Sequence, residues 1–186
     1  MTLIVGVSQI DPYALSERLM QMDEAAWARH ANPWSVWTRF TCLPLLVLAI
    51  YARQWIGWWA LPLVLLAAAW TWANPRAFPP PDDFGSWASR GTLGERVFLA
   101  RDHYNVAPHH VRAAHILTGL SALGAVPLIY GLIVLNPWAT VLGVIATILT
   151  KVWFVDRMVW IHADITNTTP GDPLPEPTLP HERTPT

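Results

Sequence analysis

The chain has 186 residues, of which 53% are hydrophobic and only 13% charged, and its formal net charge is −1. Soluble domains carry about 25% charged residues, so this composition excludes an ordinary soluble domain. The near-neutral balance likewise excludes a generally basic nucleic-acid binder.

Twelve tryptophans mark a chain that meets membrane–water interfaces, where one edge of an indole is wet and the rest is not. Cys42 is the only cysteine, which rules out an intrachain disulfide and a thiolate cage. Its neighbours Leu43 and Leu45 mark it as a buried, inert thiol.

Residues 1–22 read as an N-terminal extension. The apolar stretch at 3–7 is too short for a signal-peptide core and no positive charge precedes it, so no cleavable signal is expected. Organised sequence begins near Asp23, which makes Met20 or Met22 a candidate start and the first span its own insertion signal. That span is predicted over 34–53, with Asn32 as cap and Pro33 at the first helical position. The second covers 56–73 and ends at Asn74-Pro75.

A long connection, 75–113, follows, opened in extended form by Pro79-Pro80-Pro81. Within it, residues 92–103 are predicted as a short amphipathic helix with Leu93, Val97 and Ala100 on one face, suited to the headgroup plane. The third span covers 114–135 and stops at Asn136-Pro137. The fourth covers 137–157, and its helix carries charges on to about Asp164. Each span holds roughly the 20 residues that cross about 30 Å of hydrocarbon. Residues 166–186, rich in proline, read as a disordered tail. The predicted fold is therefore all-α: an integral membrane domain over 23–165 with four transmembrane helices in two antiparallel hairpins, plus the interfacial helix.

Four spans put both termini and the long connection on one side. Eleven of the twelve Lys and Arg residues fall there and only Arg53 falls opposite. The positive-inside rule makes that side cytoplasmic, in an inner (plasma) membrane. All seven histidines and all thirteen Asp and Glu residues share it. Near the span centres the polar groups are only Thr41, Cys42, Thr118, Ser121 and Thr147, so little could replace the hydration of a transported ion. The small-residue rows Ala139, Gly143, Thr147 and Ser121, Ala125 read as helix-packing surfaces.

Three polar clusters are candidate sites. His30, Asn32 and Arg39 open the first span. Arg39 sits about two turns inside it, where Asp156 or Asp164 could neutralise it or a lipid phosphate could reach it. Pro108-His109-His110-Val-Arg112-Ala-Ala-His115 opens the third span. His109, Arg112 and His115 form a slanted stripe while His110 points elsewhere, and this is not the i, i+4 pair that grips one metal. A metal there would need ligands from other segments, such as His30, His103 or His162. The third cluster runs from Lys151 to Asp164, with Trp153 over Arg157 as a cation–π pair and Arg157 with Asp164 as an ion pair. Asp156, His162 and His109 converging would make a general acid–base site. Gly91-Thr92-Leu-Gly94 reads as a turn with Thr92 as a cap, without the strand context of a phosphate-binding loop. No nucleophile elbow, HExxH or CxxC is present.

The block Trp27-Ala-Arg-His30-Ala-Asn32-Pro33-Trp34-Ser-Val-Trp37-Thr-Arg39, with Asn74-Pro75-Arg76-Ala-Phe78, resembles a family of small prokaryotic membrane proteins of unknown function. The resemblance covers about residues 23–165. It implies a membrane protein of this layout and brings no activity, cofactor or catalytic residue. The expected function is non-enzymatic, with the cytoplasmic face binding lipid headgroups or a partner protein, and no nucleic acid. A small membrane enzyme acting on a lipophilic substrate, perhaps with a metal, is the alternative, using His109, His110, His162, Asp156 and His30. An oligomeric transporter or channel is the third.

Overall fold

A computed structural model describes residues 24–166; the N-terminal extension with its alternative starts and the proline-rich tail lie outside the described residues. Among them every regular element is helical: α1 Glu24–His30, α2 Pro33–Arg39, α3 Cys42–Tyr51, α4 Arg53–Ile56, α5 Ala60–Ala73, α6 Trp87–Leu99, α7 Pro108–Val134 and α8 Pro137–Thr166. Short 3-10 turns at Gly57–Trp59 and Asn74–Arg76 link or extend them.

Three helical runs are long and apolar enough to cross a membrane: Pro33–Arg76, α7 and α8. The two expected spans 34–53 and 56–73 both fall in the first run, which has 44 residues. It is not a straight rod. Gly57 takes φ 56° and ψ −131°, a region that side chains forbid to other residues, and α3 packs along α5 beyond it.

α7 and α8 share the most extensive contact in the molecule. Gly131 lies against Thr140, Leu128 against Gly143, and Gly124 against Ala146 and Thr147. The pairs ascend one helix as they descend the other, so the two run antiparallel with glycine at the points of closest approach. Gly143 and Thr147 thus serve as packing residues, as their spacing implies. Ser121 and Ala125, with the other side of Thr147, line an open groove between the same two helices.

The turn between α7 and α8 is tied down on all sides. Leu135 takes the left-handed φ of 56°, a position that costs a non-glycine residue about 1 kcal/mol. Asn136 donates its N–H to Gly131 O at 2.9 Å, and its side chain accepts from Ala139 N at 3.0 Å. Tyr51 Oη donates to Leu135 O at 2.8 Å, and the Arg53 guanidinium donates to Leu132 O and Ile133 O. These are the carbonyls a helix end leaves orphaned, which would be costly to expose to lipid.

α6 begins earlier than the sequence predicts, over Trp87–Leu99 instead of 92–103. Ser86 is its cap, with Oγ accepting from Ser89 N at 3.0 Å. Gly91, Thr92 and Gly94 are therefore mid-helix and not a turn, and Thr92 donates back to Ala88 O at 3.3 Å. The glycines are there because α6 crosses α8 at contact. A Cβ on Gly94 would strike the Met158 carbonyl, and one on Gly91 would come within 2.6 Å of Val155 Cγ1.

The apolar face of α6 is also spent differently. Val97 and Phe98 are fully buried with Ala114, Leu117, Phe154, Met158 and Ile161, so this face meets α7 and α8 and not headgroups. Elsewhere the long helices point their large side chains outward. Leu48 is 66% exposed and Leu123 66%, the pattern of helices whose solvent is hydrocarbon.

The crossing gives a direct test. Gly94→Ala should lower stability in detergent by about 1–3 kcal/mol through overpacking. Gly119→Ala, where a Cβ meets nothing within 4 Å, should leave it unchanged or raise it. Equal melting temperatures for Gly94→Ala and the unaltered protein would contradict a backbone contact there.

Candidate functional site

The polar residues gather at the end of the bundle where α1, α2, α6, the Asn74–Arg76 turn and the last turns of α8 meet. Asn32 caps α2 as predicted, its Oδ1 accepting from Trp34 N at 2.8 Å, while its Nδ2 donates to Pro79 O at 3.0 Å. Asn74, fully buried, donates from Nδ2 to Thr38 Oγ1 at 2.7 Å and faces Ser35 Oγ at 3.4 Å. Ser89 Oγ donates to Ala31 O at 2.8 Å. The two sequence blocks around His30–Arg39 and Asn74–Phe78 are thus one polar clasp in space.

Arg39 is held by His30 and Ser35. Its Nη1 lies 2.6 Å from His30 Nε2, its Nη2 touches His30 Nδ1, and Nη2 donates to Ser35 Oγ at 3.3 Å. A neutral imidazole accepts at one nitrogen only, so the guanidinium has one bond to the ring and lies across it. Burial holds His30 well below the ordinary imidazole range, reinforced by the charges of Arg39, Lys151 and Arg76. His30 is thus a neutral acceptor and not a counter-ion. The expected partners of Arg39 have other work. Asp156 accepts from Trp87 Nε1 at 3.0 Å and Trp160 Nε1 at 3.3 Å, and Asp164 meets His110. Trp37 stacks on Trp87 at 5.5 Å, carrying the same contact back to α2.

Lys151, the first residue of the third polar cluster, and Glu95 of α6 sit beside Arg39. Lys151 Nζ lies 3.5 Å from Glu95 Oε1 and 4.6 Å above the Phe154 ring. Arg39, Glu95 and Lys151 line a cavity of about 100 Å³ with Val36, Gly91 and Val155. Glu95 and Lys151 also line a larger groove of about 390 Å³, together with Leu117, Ser121, Ala125, Thr147 and Phe154. Lys151 is the first charge after the apolar start of its span, ahead of Asp156 and Arg157, and that is the clue to both, because an intramembrane charge demands a partner.

The histidine-rich start of α7 divides. His109, Arg112 and His115 form the predicted stripe, and all three are exposed. His110, expected to point elsewhere, is the one carried inward, 2% exposed. Its Nε2 lies 2.7 Å from Asp164 Oδ2, and Arg157 Nη1 lies 3.5 Å from its Nδ1. An arginine can only donate. Nδ1 is therefore the acceptor and Nε2–H donates to Asp164, a relay in which both ring nitrogens are engaged.

His109, His110 and Asp164 present ligand atoms within 4.8 Å of one another, so Asp164 is the residue that joins the histidine pair, and not His30, His103 or His162. For His110 to ligate through Nε2, its proton would have to move to Nδ1 and face the guanidinium of Arg157, donor against donor. The relay and a metal are alternatives.

The remaining expectations resolve as follows. Arg157 meets His110 and not Asp164, and Trp153 stays exposed with no guanidinium over it among the described residues. Arg76 stacks on Trp72 at 4.4 Å and donates to Trp72 O at 2.9 Å. His162 is 1% exposed. Asp156, His162 and His109 do not share partners, so the anticipated acid–base convergence is not built.

His30 sets a pH dependence. Its folded value lies below the unfolded one of about 6.5, so the unfolded chain binds the extra proton and stability falls as pH falls through that range. Melting temperature in detergent should drop more steeply between about pH 7 and 5 in the unaltered protein than in His30→Gln. Superimposable profiles would remove His30 from the clasp's energetics.

No curated protein and no solved structure is significantly similar to the chain. Residues 15–178 match a family described as a family of unknown function, DUF6653, and the chain, matched over most of its length, belongs to that family.

Proposed function

We propose that this protein crosses the membrane four times with both termini and the long connection in the cytoplasm, and that it holds a membrane lipid at that end without catalysing a reaction. Length supports the four crossings. At about 1.5 Å per residue a straight 44-residue helix would span about 66 Å, twice the hydrocarbon thickness. The bend at Gly57 divides it into two crossings of ordinary length, and α7 and α8 supply the second antiparallel pair. Arg53, the one cation at the opposite end, is occupied in closing the end of α7, so it does not argue against the positive-inside orientation. Trp55, Trp58, Trp59 and Trp138, all more than 70% exposed, supply the interfacial belt at that end.

The observation that carries lipid binding is the groove of about 390 Å³. It combines an ion pair with apolar and hydroxyl-bearing walls, the two kinds of surface an amphiphile needs. The enzymatic reading has one observation in its favour, the His109, His110 and Asp164 set, and it requires the Arg157–His110–Asp164 relay to break.

Two measurements test this. In a Cys42→Ala background, a membrane-impermeant maleimide added to intact cells should label Gln54→Cys and not Asp82→Cys, both positions being exposed; the reverse pattern would invert the orientation. Protein purified through extensive detergent exchange should retain phospholipid and no stoichiometric metal. Stoichiometric metal that disappears in a His109→Ala/His110→Ala variant would put the enzyme first.

A further inference from the structure

The charges at the mouth of the groove do not balance. Lys151 has Glu95 at 3.5 Å. Arg39 faces the neutral His30 and the Ser35 hydroxyl, and the carboxylate whose charge reaches it is the same Glu95. All three ionisable groups line the same small cavity, which shares Glu95 and Lys151 with the larger groove. The site thus holds two cations and one carboxylate.

Its depth makes this costly. Lys151 is 14 residues beyond the start of α8, about 21 Å along the helix axis and so about 10 Å short of the far side of the hydrocarbon. An uncompensated charge at that level is expensive to desolvate and marks a place where an opposite charge belongs.

We propose that the groove seats an anionic phospholipid bearing a single phosphodiester charge, its phosphate between Arg39 and Lys151 and an acyl chain along Ser121, Ala122 and Ala125. The proposal rests on the lipid-binding reading above. One negative charge brings the site to neutrality. An aminophospholipid brings one charge of each sign and leaves the excess in place, and its ammonium would have to compete with Lys151 for Glu95. Lys151 is accessible enough to move onto a phosphate, since its side chain is 44% exposed and that of Glu95 25%. The oxygen-rich stretch of Thr118, Ser121 and Thr150 lies where the glycerol esters would pass.

Native mass spectrometry of the full chain, delipidated in detergent and titrated with phosphatidylglycerol, phosphatidylethanolamine or phosphatidylcholine of identical acyl chains, tests the assignment. Phosphatidylglycerol should bind about tenfold tighter than the other two, the worth of one charge-assisted contact. Lys151→Ala should lose that preference, binding phosphatidylglycerol no more tightly than phosphatidylcholine. Glu95→Gln should raise phosphatidylglycerol binding, because the carboxylate that competes for Lys151 is gone. A merely structural ion pair would weaken the protein in both variants and favour no headgroup. Equal binding of all three lipids overturns the anionic assignment and leaves lipid holding intact. No lipid bound at all overturns both. Competition by glycerol 3-phosphate at lipid-like concentrations would assign the site to a soluble phosphate and overturn the lipid.

Discussion

Where α6 crosses α8, Gly94 lies flush against the Met158 carbonyl, and the geometry of the polar end follows from that contact. It sets the height of Glu95 beside Lys151 and of Trp87 beside Asp156, and it brings Ser89 under the Ala31 carbonyl. A side chain at Gly94 would force the helices apart by more than a hydrogen bond can stretch. Two glycines in a helix interior cost about 1 kcal/mol each against alanine. That loss is offset by the buried cluster of Val97, Phe98, Met158 and Ile161, which only a close crossing can bring together.

The clasp works by a second rule, that a polar group out of water must be bonded. Asn32, Ser35, Thr38 and Asn74 satisfy one another and the backbone of three segments. Such a network is stiff because losing one member orphans another. It also explains why Arg39 can stay so far inside the first span without a carboxylate: its guanidinium has Ser35 and His30 as acceptors. Bonds satisfy its donors but do not cancel its charge, and that residual charge is the ground on which the neighbouring groove is proposed to take an anion.

Much of this was legible in the sequence wherever a local rule decides. The Asn32 cap, the Asn136-Pro137 turn, the apolar runs and the helix-packing role of Gly143 all follow from a few neighbouring residues. What failed needed tertiary information. Gly91 and Gly94 read as a turn because their reason lies on α8. Arg39 was paired with Asp156 because opposite charges attract, but Trp87 and Trp160 already hold that carboxylate. The stripe through His109, Arg112 and His115 is the more regular pattern, yet regularity here marks the exposed face, and His110 off the stripe is the residue turned inward. Glu95 and Lys151 are 56 residues apart in number, and only the crossing of α6 makes them neighbours. Lys151 is nonetheless visible as the first charge after the apolar start of α8, and the demand of such a charge for a partner points to the groove.

The arrangement of the histidines argues against catalysis more strongly than any missing motif. A general base needs one imidazole nitrogen open to a substrate while the other is oriented by a partner. His110 has the orienting carboxylate, Asp164, but Arg157 closes its second nitrogen. His30 lies under the guanidinium of Arg39 and is held neutral by burial. His109 and His115 are exposed at the start of α7, and neither lines the groove walled by Leu117, Ser121, Ala125 and Phe154. Among the residues that line that groove there is no imidazole. A protein built to transform an amphiphile would bring imidazole and groove together, whereas one built to hold it needs only the groove and a charge at its mouth.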